Sequence, residues 1–339
     1  MKKIGLMGCG TVADYGHLPA LRDSKAWELR AIFEPDAGRR AAAQEKFGVP
    51  HAFDDVDAFF TSGIDAVAIT SPAPCHLQNV RDAARHGKPV LCEKPLAMTE
   101  EEGREMIAVM RDANIPLFTG FTYRFGAEAL KIKELLEQGA IGDLRTLRLV
   151  YIWNCHGRYE QDGDGKRIEQ RRREGRMLEG GPMVDCGVHD IDLARWWTGS
   201  EIVRFEGMGS WVEDYAAPDH VWVHMDHANG AHTMAELSYT YCHTAKEPVH
   251  KYLYDLIGTE GVLRYEGLTG ELELRSSEGT ESFAIERGKN FTAMYDAFAR
   301  ALDTCDPGNL ASAEDGLIAT RIARKATNDI IAKRLKSGG

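Results

Sequence analysis

The sequence predicts an α/β protein. An N-terminal doubly wound parallel sheet is followed by an α+β domain built on a largely antiparallel open sheet. Three observations carry this prediction. Short apolar runs at Lys3–Gly8, Trp27–Phe33, Asp65–Thr70, Pro89–Cys92 and Pro116–Thr119 alternate with helical stretches at Thr11–Asp23, Ala37–Phe47, Cys75–Gly87 and Thr99–Ala113. Strands alternating with helices of that length form parallel sheets covered on both faces. A glycine-rich turn, Gly8-Cys9-Gly10, sits between the first strand and the first helix. After about residue 120 the pattern changes, and from Ile202 to Glu286 strand-like segments follow one another with short turns, among them the hairpin signal Asn229-Gly230. The expected domains are therefore 1–120, which binds a dinucleotide, and 121–339, which holds substrate and supports oligomerisation. The C-terminal helices, Phe291–Asp303 and Ala313–Arg334, could pack back on the first domain.

Individual elements follow from local chemistry. Pro19 is expected to bend or end the first helix, because it lacks an N–H. Thr99 with Glu102 three residues later is a capping box for the helix that follows. Ala127–Gln138 reads as a helix and Leu144–Asn154 alternates as a strand.

Composition excludes several classes. The 339 residues are 43% hydrophobic, ordinary for a globular chain, and the net charge of −11 argues against nucleic acid as a partner. No apolar run approaches the roughly 18 residues a membrane helix requires. The start, MKKIGLMGCG, runs directly into a strand and lacks the apolar core and cleavage site of a signal peptide. Seven cysteines, an odd number without a CxxC pair, fit reduced thiols. The expectation is a cytoplasmic protein.

The turn Gly8-Cys9-Gly10-Thr11-Val12-Ala13 has the chemistry of a dinucleotide site. Gly8 permits the tight turn, Gly10 lets the backbone approach a pyrophosphate, and the small Ala13 allows close helix–strand packing. Unpaired N–H groups of the helix start, at Thr11 and Val12, then face the phosphates. Glu34 ends the second strand, where an acid binds the ribose hydroxyls of NAD and repels the extra phosphate of NADP. NAD is therefore the expected cofactor and NADP the less favoured one. Arg39 and Arg40 read as solvated helix residues.

Three further pieces bear on chemistry. Cys92-Glu93-Lys94-Pro95 closes the fourth strand–helix unit, at the carboxyl end of a strand where an open sheet holds its ligands. Lys94 could be a surface lysine paired with Glu93, or an ammonium reaching cofactor and substrate together. Met183–Trp197, if helical, puts Asp185, His189, Asp192 and Trp196 on one stripe. Asp185 and His189 could be a structural pair or an acid/base histidine oriented by a carboxylate. Ser71-Pro72-Ala73-Pro74-Cys75-His76 enters a helix after a strand, so Ser71, Pro72 and His76 stand at the same crevice.

In this order, the glycine turn, the proline-rich loop before His76, the Glu93-Lys94-Pro95 element, Gly120-Phe121-Thr122-Tyr123-Arg124-Phe125, the Asp185/His189 element and Ser312-Ala313-Glu314-Asp315-Gly316-Leu317 resemble the Gfo/Idh/MocA family of sugar and polyol oxidoreductases. The resemblance spans essentially the whole chain. It implies a Rossmann domain and a C-terminal sheet that supports a homodimer or homotetramer. It implies Lys94, Asp185 and His189 as catalytic residues, and Tyr123 and Arg124 near nicotinamide and substrate. The chain departs from the family pattern mainly between Asn154 and Glu179, a part that shapes substrate choice. The alternative reaction on this scaffold is an NAD-dependent glycosidase that oxidises, eliminates and re-reduces. A non-catalytic NAD sensor is the third reading, disfavoured by the intact acid/base residues.

Two clusters stand apart. His220, His224 and His232 could suggest a metal, but they alternate with Val221, Val223 and Met225 and read as a polar sheet face, so no metal is expected. Arg167, Arg171, Arg172, Arg173 and Arg176 form a basic run. It is either a solvated loop or, through Arg172, a site for an anionic sugar.

Overall fold

In the computed structural model, residues 1–153, 159–161, 165–169, 171–240 and 250–336 are described. The chain divides into two compact units, 1–125 with 289–320 and 126–288 with 321–339. The expected boundary at residue 120 therefore falls later, and the second domain is not continuous. The reason is apolar burial. Phe125 belongs to the core that also contains Ile4, Leu6 and Trp27, and the helix Phe291–Thr304 adds Phe291, Met294, Tyr295 and Phe298 to it. Phe298 stacks on Trp27 with ring centroids 5.3 Å apart.

The first unit is a parallel sheet of β1 (Lys2–Met7), β2 (Trp27–Phe33), β3 (His51–Phe53), β4 (Ala66–Ile69), β5 (Val90–Cys92) and β6 (Leu117–Thr119). Their spatial order is β6-β5-β4-β1-β2-β3, and a two-residue strand, Ala311–Ser312, pairs antiparallel with β6. β4 is buried along its whole length, as a strand covered on both faces must be. The strand order reverses between β1 and β4, and ligands of open α/β sheets bind outside such a switch point. β3 escapes sequence reading because it is three half-exposed residues.

Helix starts follow the capping chemistry. The Thr99 hydroxyl accepts from the Glu102 N–H at 3.1 Å, and the Glu102 carboxylate accepts from the Met98 N–H at 2.9 Å. Pro19 does not break the first helix. The helix opens with a π-type turn at Ala13–His17, and Pro19 stands just inside the α-helical part, Leu18–Arg22. The π-type turn just before it widens the helix where the Pro19 ring and its missing donor must be accommodated.

The second unit holds β7 (Leu144–Ile152), a small hairpin of β8 (Tyr159–Gln161) and β9 (Arg167–Glu169), and then β10 (Ile202–Ser210), β11 (His220–His227), β12 (His232–Ser238), β13 (Lys251–Gly258), β14 (Gly261–Glu266), β15 (Glu271–Ser276) and β16 (Gly279–Ala284). Eight of these form one sheet in the order β10-β11-β12-β7-β13-β14-β15-β16, antiparallel except for the parallel pair β12–β7. Along β11 the even-numbered residues are half-buried and the odd-numbered ones buried, so one face meets the helices and the other is polar. The Asn229-Gly230 turn joins β11 to β12, with Gly230 at φ +87°. No helix is long and apolar enough to cross a membrane among the described residues.

Candidate functional sites in the two units

In the first unit the glycine turn, the tip of β2 and the loop after β4 enclose a groove of about 780 Å³. Gly8, Gly10, Thr11, Glu34, Ser71 and Pro72 line it. Gly8 sits at φ +97°, and a Cβ there would lie 2.6 Å from the Ser71 backbone. Only glycine permits that conformation together with that approach. Gly10 is different, because a Cβ there would meet nothing within 4 Å. No protein atom demands that glycine. A dinucleotide lying over the turn would approach the backbone there, and the residues fit one.

Glu34 is the electrostatic centre of the groove. One carboxylate oxygen accepts from the Cys9 N–H at 2.9 Å, and the other accepts from the Asp36 N–H at 3.0 Å and from Arg39 at 2.9 Å. Burial opposes its charge, but the Arg39 guanidinium and the two backbone donors hold the carboxyl below the ordinary glutamate range. Arg39 is thus an ion-pair partner of Glu34 and lines the groove itself. Arg40 donates to the Glu34 carbonyl at 2.7 Å. Neither arginine is merely solvated. Burial also pushes the Cys9 thiol up to about 12, so it stays protonated.

The remaining expected residues of this unit lie around the groove. Val12 and Ala13 turn into the helix, with Ala13 in the core. His76 is buried, and its ring nitrogens lie 2.9 Å from the Ser71 carbonyl and 3.1 Å from the Leu96 carbonyl. It braces the loop that lines the groove and is not itself a lining residue. Glu93 and Lys94 follow β5, and the Lys94–Pro95 peptide is cis. Tyr123 is buried, with the Lys289 ammonium 5.7 Å from its ring. Arg124 is buried too, and its guanidinium pairs with Asp315 at 3.2 Å.

In the second unit Asp185 and His189 occupy a helix that opens with a π-type turn, Met183–Gly187, before the α-helical Val188–Thr198. The wider turn offsets the four-residue stripe expected for a regular helix, and such turns concentrate at functional sites. His189 and Asp192 are buried, as are Val188 and Ile191. Asp185 accepts from Arg176 at 2.5 Å and from the Tyr239 hydroxyl at 2.6 Å. Burial alone would lower the Arg176 guanidinium, yet the adjacent Asp185 carboxylate raises it above its ordinary value. Asp185 is therefore an ion-pair partner of Arg176 and a hydrogen-bond acceptor from Tyr239. Of the basic run, Arg176 turns inward, while the side chains of Arg167, Arg171, Arg172 and Arg173 lie outside the described residues. Sequence reasoning did not identify Tyr239, which comes from the end of a distant strand segment.

Next to His189, Asp190 points into a separate buried cluster. Burial pushes its carboxyl up to about 7, opposed by the charge of Arg287. Glu128 is likewise raised by burial, with Arg287 again opposing. The Arg287 guanidinium lies 3.3 Å over the Tyr252 ring. Among the described residues, no group of three or more His, Cys, Asp or Glu side chains is arranged to hold a metal. His220 stacks on Trp222 at 4.2 Å, and His232 lies 2.7 Å from Asp226 and 3.1 Å from His224.

Comparison with known proteins agrees with this geometry. Residues 2–121 match the family described as "Oxidoreductase family, NAD-binding Rossmann fold", and residues 129–264 match the "GFO/IDH/MocA C-terminal domain". The chain is 28% identical over 265 residues to a D-apiose dehydrogenase of Rhizobium rhizogenes, covering 77% of this chain and 72% of that protein. It is 30% identical over 213 residues to a myo-inositol 2-dehydrogenase of Thermotoga maritima, covering 62% and 59%. A crystal structure of an oxidoreductase from Agrobacterium radiobacter, in complex with NAD+, L-tartaric acid and magnesium, superposes with a TM-score of 0.83 at 22% identity, covering 98% of this chain and 97% of that one. At that identity the likeness concerns the fold alone.

Two outcomes follow. Gly10→Ala should leave the melting temperature unchanged and weaken NAD binding in calorimetry, whereas Gly8→Ala should lower both, because only the second strains the protein itself. For Asp190, a raised folded-state pKa means the native protein holds a proton that the unfolded chain has released. Stability should therefore fall as pH rises from the ordinary carboxylate range to about 7. Asp190→Asn should remove that fall, read as melting temperature against pH, with the gain over wild type confined to the alkaline side.

Proposed function

The chain belongs to the Gfo/Idh/MocA family of NAD-binding oxidoreductases, and from that premise we propose that it oxidises a CH–OH group of a sugar, sugar derivative or cyclitol. The groove whose Gly10 is crowded by no protein atom, with Glu34 fixed at its edge, is the observation that carries this reading. NAD, when bound there, supplies the hydride acceptor. Everything else falls to the chain's own residues.

His189 is the general base that takes the hydroxyl proton of the substrate. Its imidazole is buried, so the proton is received out of bulk water. Asp185, paired with Arg176 and hydrogen-bonded by Tyr239, is an acceptor for a substrate hydroxyl or for the imidazolium that forms. Lys94 provides the positive charge that stabilises a developing alkoxide. Tyr123 and Arg124 shape the surroundings of the reacting groups, and Arg172 is the proposed contact for an acidic sugar. The relatives reported above carry dehydrogenase names, which favours net oxidation over the glycosidase cycle.

The test is a screen of neutral and acidic sugars for NADH by absorbance. One NADH should accumulate per carbonyl formed. A glycosidase would instead release its leaving group without NADH. His189→Ala should cost ~100- to 10,000-fold in kcat, and Lys94→Ala a comparable factor. Near-native turnover in either would end this assignment. The polar face of the open sheet, with His220, Trp222 and His224 in a row, supports a homodimer or homotetramer. Light scattering should give two or four times the chain mass, and a monomer would refute it.

A further inference from the structure

Beneath the Glu93-Lys94-Pro95 element lies a chain of buried polar groups that the proposed chemistry does not use. His17 comes from the π-type turn of the first helix, Glu93 from the end of β5, and Tyr295 from the helix Phe291–Thr304. The three are 1%, 8% and 0% exposed. The His17 Nε2 lies 2.9 Å from a Glu93 carboxylate oxygen, and its Nδ1 lies 2.7 Å from the Tyr295 hydroxyl. One tautomer satisfies every atom: Nε2–H donates to the carboxylate, and Nδ1 accepts from the phenol. The other Glu93 oxygen accepts from the Lys94 N–H at 3.1 Å.

Packing holds this chain in one arrangement. Phe291 meets the His17 ring edge-on at 4.7 Å, and a Cβ on Gly16 would come within 2.5 Å of that phenyl ring. The Trp27 indole N–H donates to the Tyr295 carbonyl at 2.8 Å. Above, a Cβ on Gly120 would stand 3.3 Å from the Glu93 carboxylate, so the backbone closes over it. Burying three polar side chains is costly unless each is satisfied, and a satisfied network fixes its members firmly. What it fixes is an anion at the root of the Lys94 side chain. His17, Lys94 and Lys289 are the groups that favour that anion, burial opposes it, and its charge reaches His76, Cys92 and Tyr295.

We propose that His17, backed by the Tyr295 hydroxyl, is a positioning residue for the Lys94 ammonium, acting through the carboxylate of Glu93. The proposal rests on the assignment of Lys94 to the reaction. Neither His17 nor Tyr295 touches substrate. Without the imidazole donor, Glu93 loses its best partner and draws a proton more readily, and Lys94 loses part of its counter-charge. Lys94 then releases its own proton more easily.

The experiment compares His17→Leu, which removes both hydrogen bonds, His17→Gln, whose amide reaches Glu93 as a donor, and Tyr295→Phe, which deletes only the hydroxyl. Three quantities are read on the full chain: kcat against pH, the Kd for NAD, and the rate at which acetic anhydride labels Lys94, followed by site-resolved mass spectrometry near neutral pH. In His17→Leu, kcat should drop roughly tenfold or more and its alkaline limb should move to lower pH, with Kd for NAD changed little. Lys94 labelling should rise several-fold, because more of it is the neutral amine. Tyr295→Phe should move each quantity in the same direction by less, and His17→Gln should restore most of them. A merely structural role predicts lower melting temperatures with the pH limb and the labelling rate unmoved, and that result overturns the proposal. If His17→Leu does not fold, Tyr295→Phe and His17→Gln decide by the same criteria. Lys94→Ala separates the two levels. Full activity there removes the premise. An inactive Lys94→Ala beside an unperturbed Tyr295→Phe and His17→Leu removes only this inference.

Discussion

The Glu34 carboxylate is the constraint on which the first unit is organised. It is buried at the tip of β2, yet it stays charged because Cys9 and Asp36 give it N–H donors and Arg39 gives it a cation. The bond to Cys9 ties the end of β2 to the glycine turn after β1. The turn in turn is pressed against Ser71 by the close approach that Gly8 allows. One buried acid thus sets the spacing of three strand ends around the groove. Because Arg39 lines the same groove, the Glu34 carboxylate is already paired there. Any hydroxyl that binds at this carboxylate must share it with the guanidinium or displace that group.

Much of this was legible in the sequence, and the legible part is the part set by local periodicity. Trp27–Phe33 and Ala37–Phe47 fall where alternation and helical spacing put them, and Thr99 caps the helix its spacing announced. The glycine turn and Glu34 could be read because a dinucleotide site needs them at fixed separations. What could not be read is set by distance along the chain. A return of the C-terminal helices to the first unit was expected, but not that residues 289–320 join it through Phe291, Tyr295 and Phe298. The two π-type turns were invisible because a single inserted residue leaves the apolar spacing almost unchanged. The same holds for side-chain partners. Asp185 was identified, but Arg176 and Tyr239 were not named as its anchors, and His17 was not seen as the neighbour of Glu93.

Both proposed reaction elements share a physical device. Each rests on a buried carboxylate held by donors from other elements: Glu93 by His17 backed by Tyr295, and Asp185 by Arg176 and Tyr239. Asp190 and Glu128 are the contrast. They are equally buried, and burial outweighs the charge of Arg287 at both, and two backbone hydrogen bonds as well at Glu128, so both carboxyls are raised. Burial alone therefore does not decide charge here. The balance between burial and the donors and charges around each carboxyl does.

The return of residues 289–320 to the first unit has a consequence for how the molecule is made. A ribosome that has released the first 125 residues has delivered every parallel strand, but not the helix that covers Trp27, Leu18 and Leu21. Those side chains lack these packing partners until residues 291–304 have emerged. The nucleotide-binding half therefore cannot mature ahead of the rest during translation, and it could not be cut out as a free-standing module without carrying the distant segment along.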